Sequence, residues 1–282
     1  MNAITFKTIG IGVNFSPNLE ANINEAARLA LCLGSKLVLI HVGETSDEKS
    51  KTFLTFLKPF VNNGLEFEIL FKSGDPVDVI LSSTLEKNID LLIIGALKKE
   101  NFLKYYLGSI ARKITRKASC SVLLLINPSI ERVPCEHIVV NGLKDPKTKE
   151  TVNTAFLVGH KLGVGKITVV EEIDQEEVSV KVDDDKTLRK STIIKERLRL
   201  REEARVKKVL DSIPADYTKD ITIKSQPIFG KRGYSIGHYA QVARADLLVM
   251  NAPSKMTFWD RLFPHDIEHI LTELPTDVLI VQ

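Results

Sequence analysis

Short continuous apolar runs along this chain alternate with stretches in which apolar residues recur every three or four positions. ITFKTIGIGV reads as a strand, and after Ser16-Pro17-Asn18 the segment LEANINEAARLALCLG places Ile23, Ala26, Ala27, Ala30 and Leu31 on one helical face, with Gly34 as its C-terminal cap. The same logic predicts strands at Lys36 to Val42, Leu65 to Phe71, Asp90 to Gly95 and Ser121 to Ile126. Helices are expected at Lys51 to Val61, Pro76 to Lys87 and Leu103 to Lys117. Strands alternating with helices imply βαβ crossovers, hence a parallel sheet covered on both faces.

The order then repeats. HIVVN at His137 to Asn141 is followed by a helix over about Thr148 to Leu162 and by KITVV at Lys166 to Val170. DLLIIG at Asp90 returns as DLLVMN at Asp246, about 156 residues later, and SVLLLI is matched by DVLIV at Asp277 to Val281 in the same register. The first strands are offset by only about 127 residues, so roughly 29 residues enter the second half around Glu171 to Tyr217. That insertion contains KSTIIKERLRLREEARVKKVLDSI, an unusually long amphipathic helix in which Ile193, Ile194, Leu198, Val206, Val209 and Leu210 are the apolar positions. A solvated helix laced with ion pairs is its ordinary reading, and a partner-binding or dimer-forming arm is the alternative. Two domains are expected, residues 1–127 and 136–282, joined by NPSIERVPCE with its two prolines.

Composition fits this picture and removes several classes. A length of 282 residues suits two cores, and 44% hydrophobic with 27% charged residues is ordinary for globular protein. The net charge of +3 gives no general attraction to nucleic acid or anionic membrane, and no aromatics suited to base stacking accompany the basic residues of the long helix. No apolar stretch approaches the roughly 18 residues of a membrane span, and MNAITFKTIGIGVNF does not read as a signal peptide. A cytoplasmic location is therefore expected, with Cys32, Cys120 and Cys135 as reduced thiols.

Ligands of open parallel sheets bind beyond the carboxyl ends of the strands, where helix N-termini direct unpaired amides at anions. In the first half those places are Asn14 to Ser16, Val42 to Gly43, and Gly95 onward to Gly108 and Ser109. Gly95-x2-Lys98-x9-Gly108-Ser109 resembles the nucleotide loop of the universal stress protein family, G-x2-G-x9-G followed by Ser or Thr. VNFSPN resembles that family's VDGS loop, and AARLALCLGSKLVLIHV and GDPVDVI resemble its first helix with second strand and its third-helix entry. The resemblance implies a Rossmann-like α/β fold of two tandem five-stranded parallel-sheet sandwiches. It also implies that the last strands SVLLLI and DVLIV pair across an intrachain pseudo-dimer, with a homodimer of chains as a further expectation.

By the same resemblance ATP, with Mg, is the expected ligand. Asn14 would stand near the nucleotide and Val42 near adenine, while Gly95, Lys98, Gly108 and Ser109 surround ribose and phosphates. Lys98 replaces a glycine and would either pair with a phosphate or fill its space; Asn14 replaces an acid. In the second half Asn251, Ser254, Pro264 and His265 take the loop positions, and the proline removes an amide donor, so that half reads as a structural partner. Phe258, Trp259, Leu262 and Phe263 form an aromatic-rich patch there, and the spacing of His265 and His269 reads as a helix-surface feature. GxxxxGK[ST], HExxH, GxSxG and GxGxxG are absent, Gly10-Ile11-Gly12 lying inside a strand. The expectation is a stress-response regulatory or binding protein with an unknown protein partner, more a binder than an enzyme. A nucleotide-free scaffold for a protein or apolar ligand, and a slow ATP hydrolase using Asp75 or Glu100, stay open.

Overall fold

The computed structural model describes residues 5–98, 105–178, 181–231, 234–252 and 270–282. Two compact units divide the chain: residues 1–134 with Leu271–Gln282 form one, and Cys135–Ile270 the other.

The first unit runs β1 (Thr8–Val13), α1 (Leu19–Leu33), β2 (Lys36–Val42), α2 (Asp47–Val61), β3 (Phe67–Lys72), α3 (Pro76–Glu86), β4 (Leu91–Gly95), β5 (Leu97–Lys98), β6 (Tyr105–Tyr106), α4 (Ser109–Lys117) and β7 (Ser121–Leu125). Strands β3, β2, β1, β4 and β7 lie side by side and parallel. Their apolar runs are buried on both faces, Ile9, Ile11, Leu37, Leu39, Leu92 and Ile93 being fully enclosed, which is why they read as continuous runs. β3 is the edge strand, and all its residues are only half-buried.

The helix starts follow their caps. Ser46 Oγ accepts from Lys49 N–H at 3.1 Å, so α2 begins at Asp47, ahead of the Lys51 expected from apolar spacing. Asp75 Oδ1 accepts from the amides of Val77 and Asp78, and Pro76 follows at the first helical position, where its missing N–H costs nothing. Gly34 ends α1 at φ 70°, in the left-handed conformation anticipated for it. The helix expected from Leu103 is corrected: Tyr105–Tyr106 instead pair antiparallel with Leu97–Lys98, and α4 begins only at Ser109.

The aspartate that opens each copy of the repeat has a structural job. Asp90 Oδ2 accepts from the amides of Lys7 and Thr8 at 2.8 and 3.0 Å, tying the start of β4 to the start of β1. In the second unit Asp246 Oδ2 does the same for Glu136 and His137 at 2.8 and 2.9 Å. Glycines inside β1 answer a packing need: a Cβ on Gly10 would stand 2.6 Å from Ile89 Cδ1, and one on Gly12 would stand 3.1 Å from Ile80 Cδ1.

The second unit runs β8 (His137–Asn141), α5 (Thr148–Leu162), β9 (Lys166–Asp174), a 3-10 turn (Gln175–Glu177), α6 (Asp185–Leu210), α7 (Ala215–Thr218), β10 (Thr222–Gly230), α8 (Tyr234–Val242) and β11 (Leu247–Asn251). Its strands pair in parallel in the order β10, β9, β8, β11 around Val139, Phe156, Val169 and Leu248. The insertion proves to be a lengthened β9 followed by the 26-residue α6, which Asp184 and Thr187 open with a reciprocal capping box.

β12 (Asp277–Val281) belongs to the first unit, where it pairs antiparallel with β7, Val278 facing Leu124 and Ile280 facing Val122. The pairing expected of SVLLLI and DVLIV is thus present, and Asp277 Oδ1 fixes its end by accepting from Ile126 N–H at 2.9 Å. The segment read as a linker is partly anchored on α1. Arg28 donates to the carbonyls of Ser129 and Ile130, and Ser129 N–H donates to Glu25 Oε1.

Candidate functional site

The order β4, β1, β2 makes the gap between β1 and β4 the point where the first unit's chain path reverses direction across the sheet. Asn14 follows β1, Val42 ends β2 and Gly95 ends β4, so three of the predicted residues share the carboxyl edge of adjacent strands. Asn14 is exposed, and its carbonyl accepts from Ser16 N–H at 2.8 Å, which turns the chain toward α1. Val42 is half-buried opposite Lys72. Gly43 follows at φ 149°, its N–H donating to Lys72 O at 2.9 Å. A side chain at Gly43 would be strained, and its Cβ would stand 3.3 Å from His41 Nε2.

At Gly95 the backbone comes close to a side chain of α1. A Cβ there would stand 3.2 Å from Asn22 Oδ1, an oxygen that is buried and has no hydrogen-bond partner among the described residues. Lys98 lies in the short β5–β6 ribbon, paired with Tyr105. Gly108 is the N-cap of α4 with φ −62° and ψ 163°. Among the described residues no side chain caps this helix, and no acid lies in its first turn, whereas Ser46 and Asp75 cap α2 and α3. Ser109 is exposed at its first position. The amides of that first turn therefore keep their attraction for an anion, the arrangement a phosphate-binding loop requires. Asp75, weighed as a catalytic carboxylate, is spent as the α3 cap, and Glu100 lies outside the described residues.

The sequence reading missed an aromatic cluster beside Asn14. Phe15 is 50% exposed, stacks on the buried Phe53 at 5.4 Å and meets His41 edge-on at 5.5 Å, with Phe71 closing the group. His41 Nδ1 donates to Val13 O at 3.1 Å, which fixes its proton on that nitrogen. The signal lay in the phenylalanine of VNFS, where the resembled loop has glycine.

The second unit builds the same corner differently. Asn141, the counterpart of Asn14, is fully buried, its Oδ1 accepting from Leu143 N–H at 3.1 Å and its Nδ2 unpartnered. Thr151 stands in α5 where Asn22 stands in α1, relative to the capping glycines Gly163 and Gly34, and its buried hydroxyl has no partner either. Asn251 replaces Gly95 and donates through Nδ2 to Thr148 Oγ1 at 3.4 Å. The amide contributed by the helix in one unit thus comes from the strand end in the other.

Over the loop after β8 lies α6. Arg205 donates to Leu143 O at 3.1 Å and to Gly142 O, and Val206 Cγ2 would be 3.4 Å from a Cβ on Gly142. Burial would push the Glu202 carboxyl up, yet its bonds from Arg205 and Arg201 hold it below the ordinary value. Glu171 in β9 is almost fully enclosed; burial pushes its carboxyl up, against the hydrogen bond it accepts from Ser225 at 2.7 Å. A chain loop that is open after β1 is thus covered after β8. Among the described residues no cluster of three or more His, Cys, Asp or Glu could hold a metal ion, and Ser254, Phe258, Trp259, Leu262, Phe263, Pro264, His265 and His269 lie outside those residues.

Known proteins share the fold. Residues 57–125, which include Gly95, Lys98, Gly108 and Ser109, match the universal stress protein family. Universal stress protein YxiE of Bacillus subtilis (strain 168) is 27% identical over 62 residues, 22% of this chain; the match spans 42% of that relative's length. Among solved structures, a functionally unknown protein from Pseudomonas aeruginosa PAO1 superposes over 98% of this chain and 92% of its own, with a TM-score of 0.70 and 17% identity. A universal stress protein from Archaeoglobus fulgidus DSM 4304 superposes over 98% of both chains, with a TM-score of 0.67 and 17% identity.

Proposed function

We propose, from the premise that the chain belongs to the UspA-like universal stress family, that it is a stress-response binding protein whose first unit takes an adenine nucleotide, ATP with Mg. The observation that carries this reading is the uncapped, acid-free N-terminus of α4 at Gly108 and Ser109. The fit is supported at Gly95, where a Cβ would stand a tight 3.2 Å from Asn22 Oδ1, an oxygen without a partner among the described residues.

In this reading the first-turn amides of α4 and the Ser109 hydroxyl hold phosphate oxygens, and Lys98 adds a compact positive charge. Asn14 offers its amide to the ribose. Since the Gly43 N–H is already given to Lys72, other backbone groups near Val42 meet the adenine. The second unit serves as a structural partner, because Arg205 and Val206 of α6 occupy the loop where the nucleotide would stand.

Calorimetric titration with ATP and Mg tests this. The wild type should bind, and Lys98→Gly should weaken binding about tenfold, as loss of one charge-assisted phosphate contact would. No heat and no gain in thermal stability with ATP would leave the nucleotide-free scaffold as the better reading. ATP turnover that disappears in Ser109→Ala would move the protein to the hydrolases.

A further inference from the structure

β3 is the outer strand of the first unit, and its ladder runs to β2 alone. Leu37 N–H donates to Glu66 O and Gly43 N–H to Lys72 O, so the even-numbered residues of this stretch direct their backbone groups inward at β2. Successive residues of a strand alternate, so Phe67, Ile69 and Phe71 direct theirs outward. Among the described residues those outward groups meet no hydrogen-bond partner. The outer strand of the second unit, β10, is different. Thr222 N–H donates to Gly165 O, which sets the odd-numbered residues of β10 outward. There Pro227 has no amide to offer, and its carbonyl accepts from Gln226 Nε2 at 3.2 Å. One outer edge is thus closed toward its middle by a proline, a common protection of exposed edges, and the other is left open.

We propose that the open edge of β3 pairs antiparallel with β3 of a second copy of the chain, about a two-fold axis normal to the sheet that relates the two Ile69 residues. Such an axis keeps each face of the strand on its own side, so residues directly opposite one another share a face. Ile69 meets the partner's Ile69 and Phe67 meets the partner's Phe71, the outward groups making about six backbone hydrogen bonds. On the other face Glu66 stands opposite the partner's Lys72, and Lys72 opposite the partner's Glu66, in the closer-spaced class of cross-strand pair. Glu66 is exposed and makes no ion pair among the described residues, while Lys72 gives one of its three donors to Glu86 and keeps two. The unlike charges meet twice, and this complementarity selects a second copy as the occupant. Moving the axis to Glu68 would set Glu68 against Glu68. Moving it to Leu70 would bring Lys72 to Glu68, a carboxylate already held by Lys36 and Lys87, and would undo the phenylalanine pairs. The contact is one strand wide, smaller than a standard interface, so the dimer is weak and reversible.

Sedimentation equilibrium of the whole 31.5 kDa chain, from roughly 1 µM to 1 mM, should show a monomer–dimer equilibrium. Glu66→Lys sets like charges opposite each other twice and should weaken it about tenfold; adding Lys72→Glu to that variant should restore it to within about threefold. Ile69→Pro removes the central outward amide and no amide bonded to β2, and should abolish the dimer. Glu66→Lys should keep the wild-type circular dichroism because the side chain is exposed, so the charge test stands even where the proline variant unfolds. Hydrogen exchange reads the register. With rising protein concentration the amides of Phe67, Ile69 and Phe71 should slow, while those of Glu68 and Leu70, bonded to β2, are slow throughout. Mixing Glu66→Cys with Lys72→Cys protein under oxidation should give a disulfide between positions 66 and 72 in peptide maps. A chain that stays monomeric across the whole range overturns the proposal. So does a dimer indifferent to Glu66→Lys, or outward amides that gain protection only when an unrelated Thr-Val repeat peptide is added.

Discussion

Removing Arg205 should destabilise the second unit more than any other single truncation on α6. Its guanidinium donates to two backbone carbonyls and to Glu202, and the side chains of the pair are only 24% and 9% exposed. Each charge-assisted hydrogen bond contributes about 1.5–3 kcal/mol. The three act as one unit and part of the guanidinium faces water, so their sum overstates the loss. About 3 kcal/mol is expected for Arg205→Ala, mostly from the two stranded carbonyls and a buried carboxylate left to Arg201. With a urea slope of about 1.5–2 kcal/mol/M for a unit of this size, the midpoint followed by circular dichroism should fall by about 1.5–2 M. Arg205→Lys keeps the charge but not the fork, and should recover less than half of that. The pH dependence has a fixed sign. Glu202 titrates below its ordinary value when folded, so its contribution is complete above the unfolded pKa and fades as pH falls through the folded one. The gap between wild type and Arg205→Ala should therefore narrow below about pH 4, leaving the part that comes from the two carbonyls. A midpoint shift under about 0.3 M at neutral pH would show that α6 merely lies beside the loop.

Glu171 should behave oppositely, because burial raises its pKa: the stability tied to its protonated form is present below the unfolded pKa and lost as pH rises through the folded one. Glu171→Gln should thus raise stability by about 1 kcal/mol at pH 7, the gain vanishing near pH 4, in thermal melts across that range. Asp90→Ala and Asp246→Ala should each cost about 2 kcal/mol in urea titrations, since each strands two strand-initiating amides. Cys120, with its thiol pushed up to about 11 by burial, should resist a disulfide-exchange reagent at pH 8 in the native protein and react fully in urea. Gly10→Ala should cost about 1–2 kcal/mol by the same titration, because Ile89 must move.

The first unit's architecture was legible because both-face burial writes itself as unbroken apolar runs, and the capping residues Gly34 and Asp75 sat where the runs implied. The repeat exposed the strand correspondence, although it could not say that Asp90 and Asp246 tie strand starts together. The α4 boundary was misplaced because Leu97–Lys98 and Tyr105–Tyr106 carry no period of either kind; a two-residue ribbon is too short for one. The helical nature of α6 was plain, but its orientation was not. Ile193 counted toward the apolar face in the sequence, while in the fold Ser191 and Glu202 are buried and Ile193 faces solvent. A buried glutamate held by two arginines satisfies itself through geometry that hydropathy does not record. Phe15 was passed over because its neighbours in the cluster, His41, Phe53 and Phe71, come from three other elements.

The antiparallel seam between β7 and β12 joins residues made far apart in synthesis. When Ser121–Leu125 leaves the ribosome its partner is still about 150 residues away. At 5–20 residues per second that leaves a largely apolar strand edge without its final neighbour for about 8–30 s. The first unit thus begins folding well before its last strand is made. A nascent chain halted before Asp277 would present SVLLL as an adhesive edge, so early arrest should produce aggregates seeded by the unit that is already mostly built.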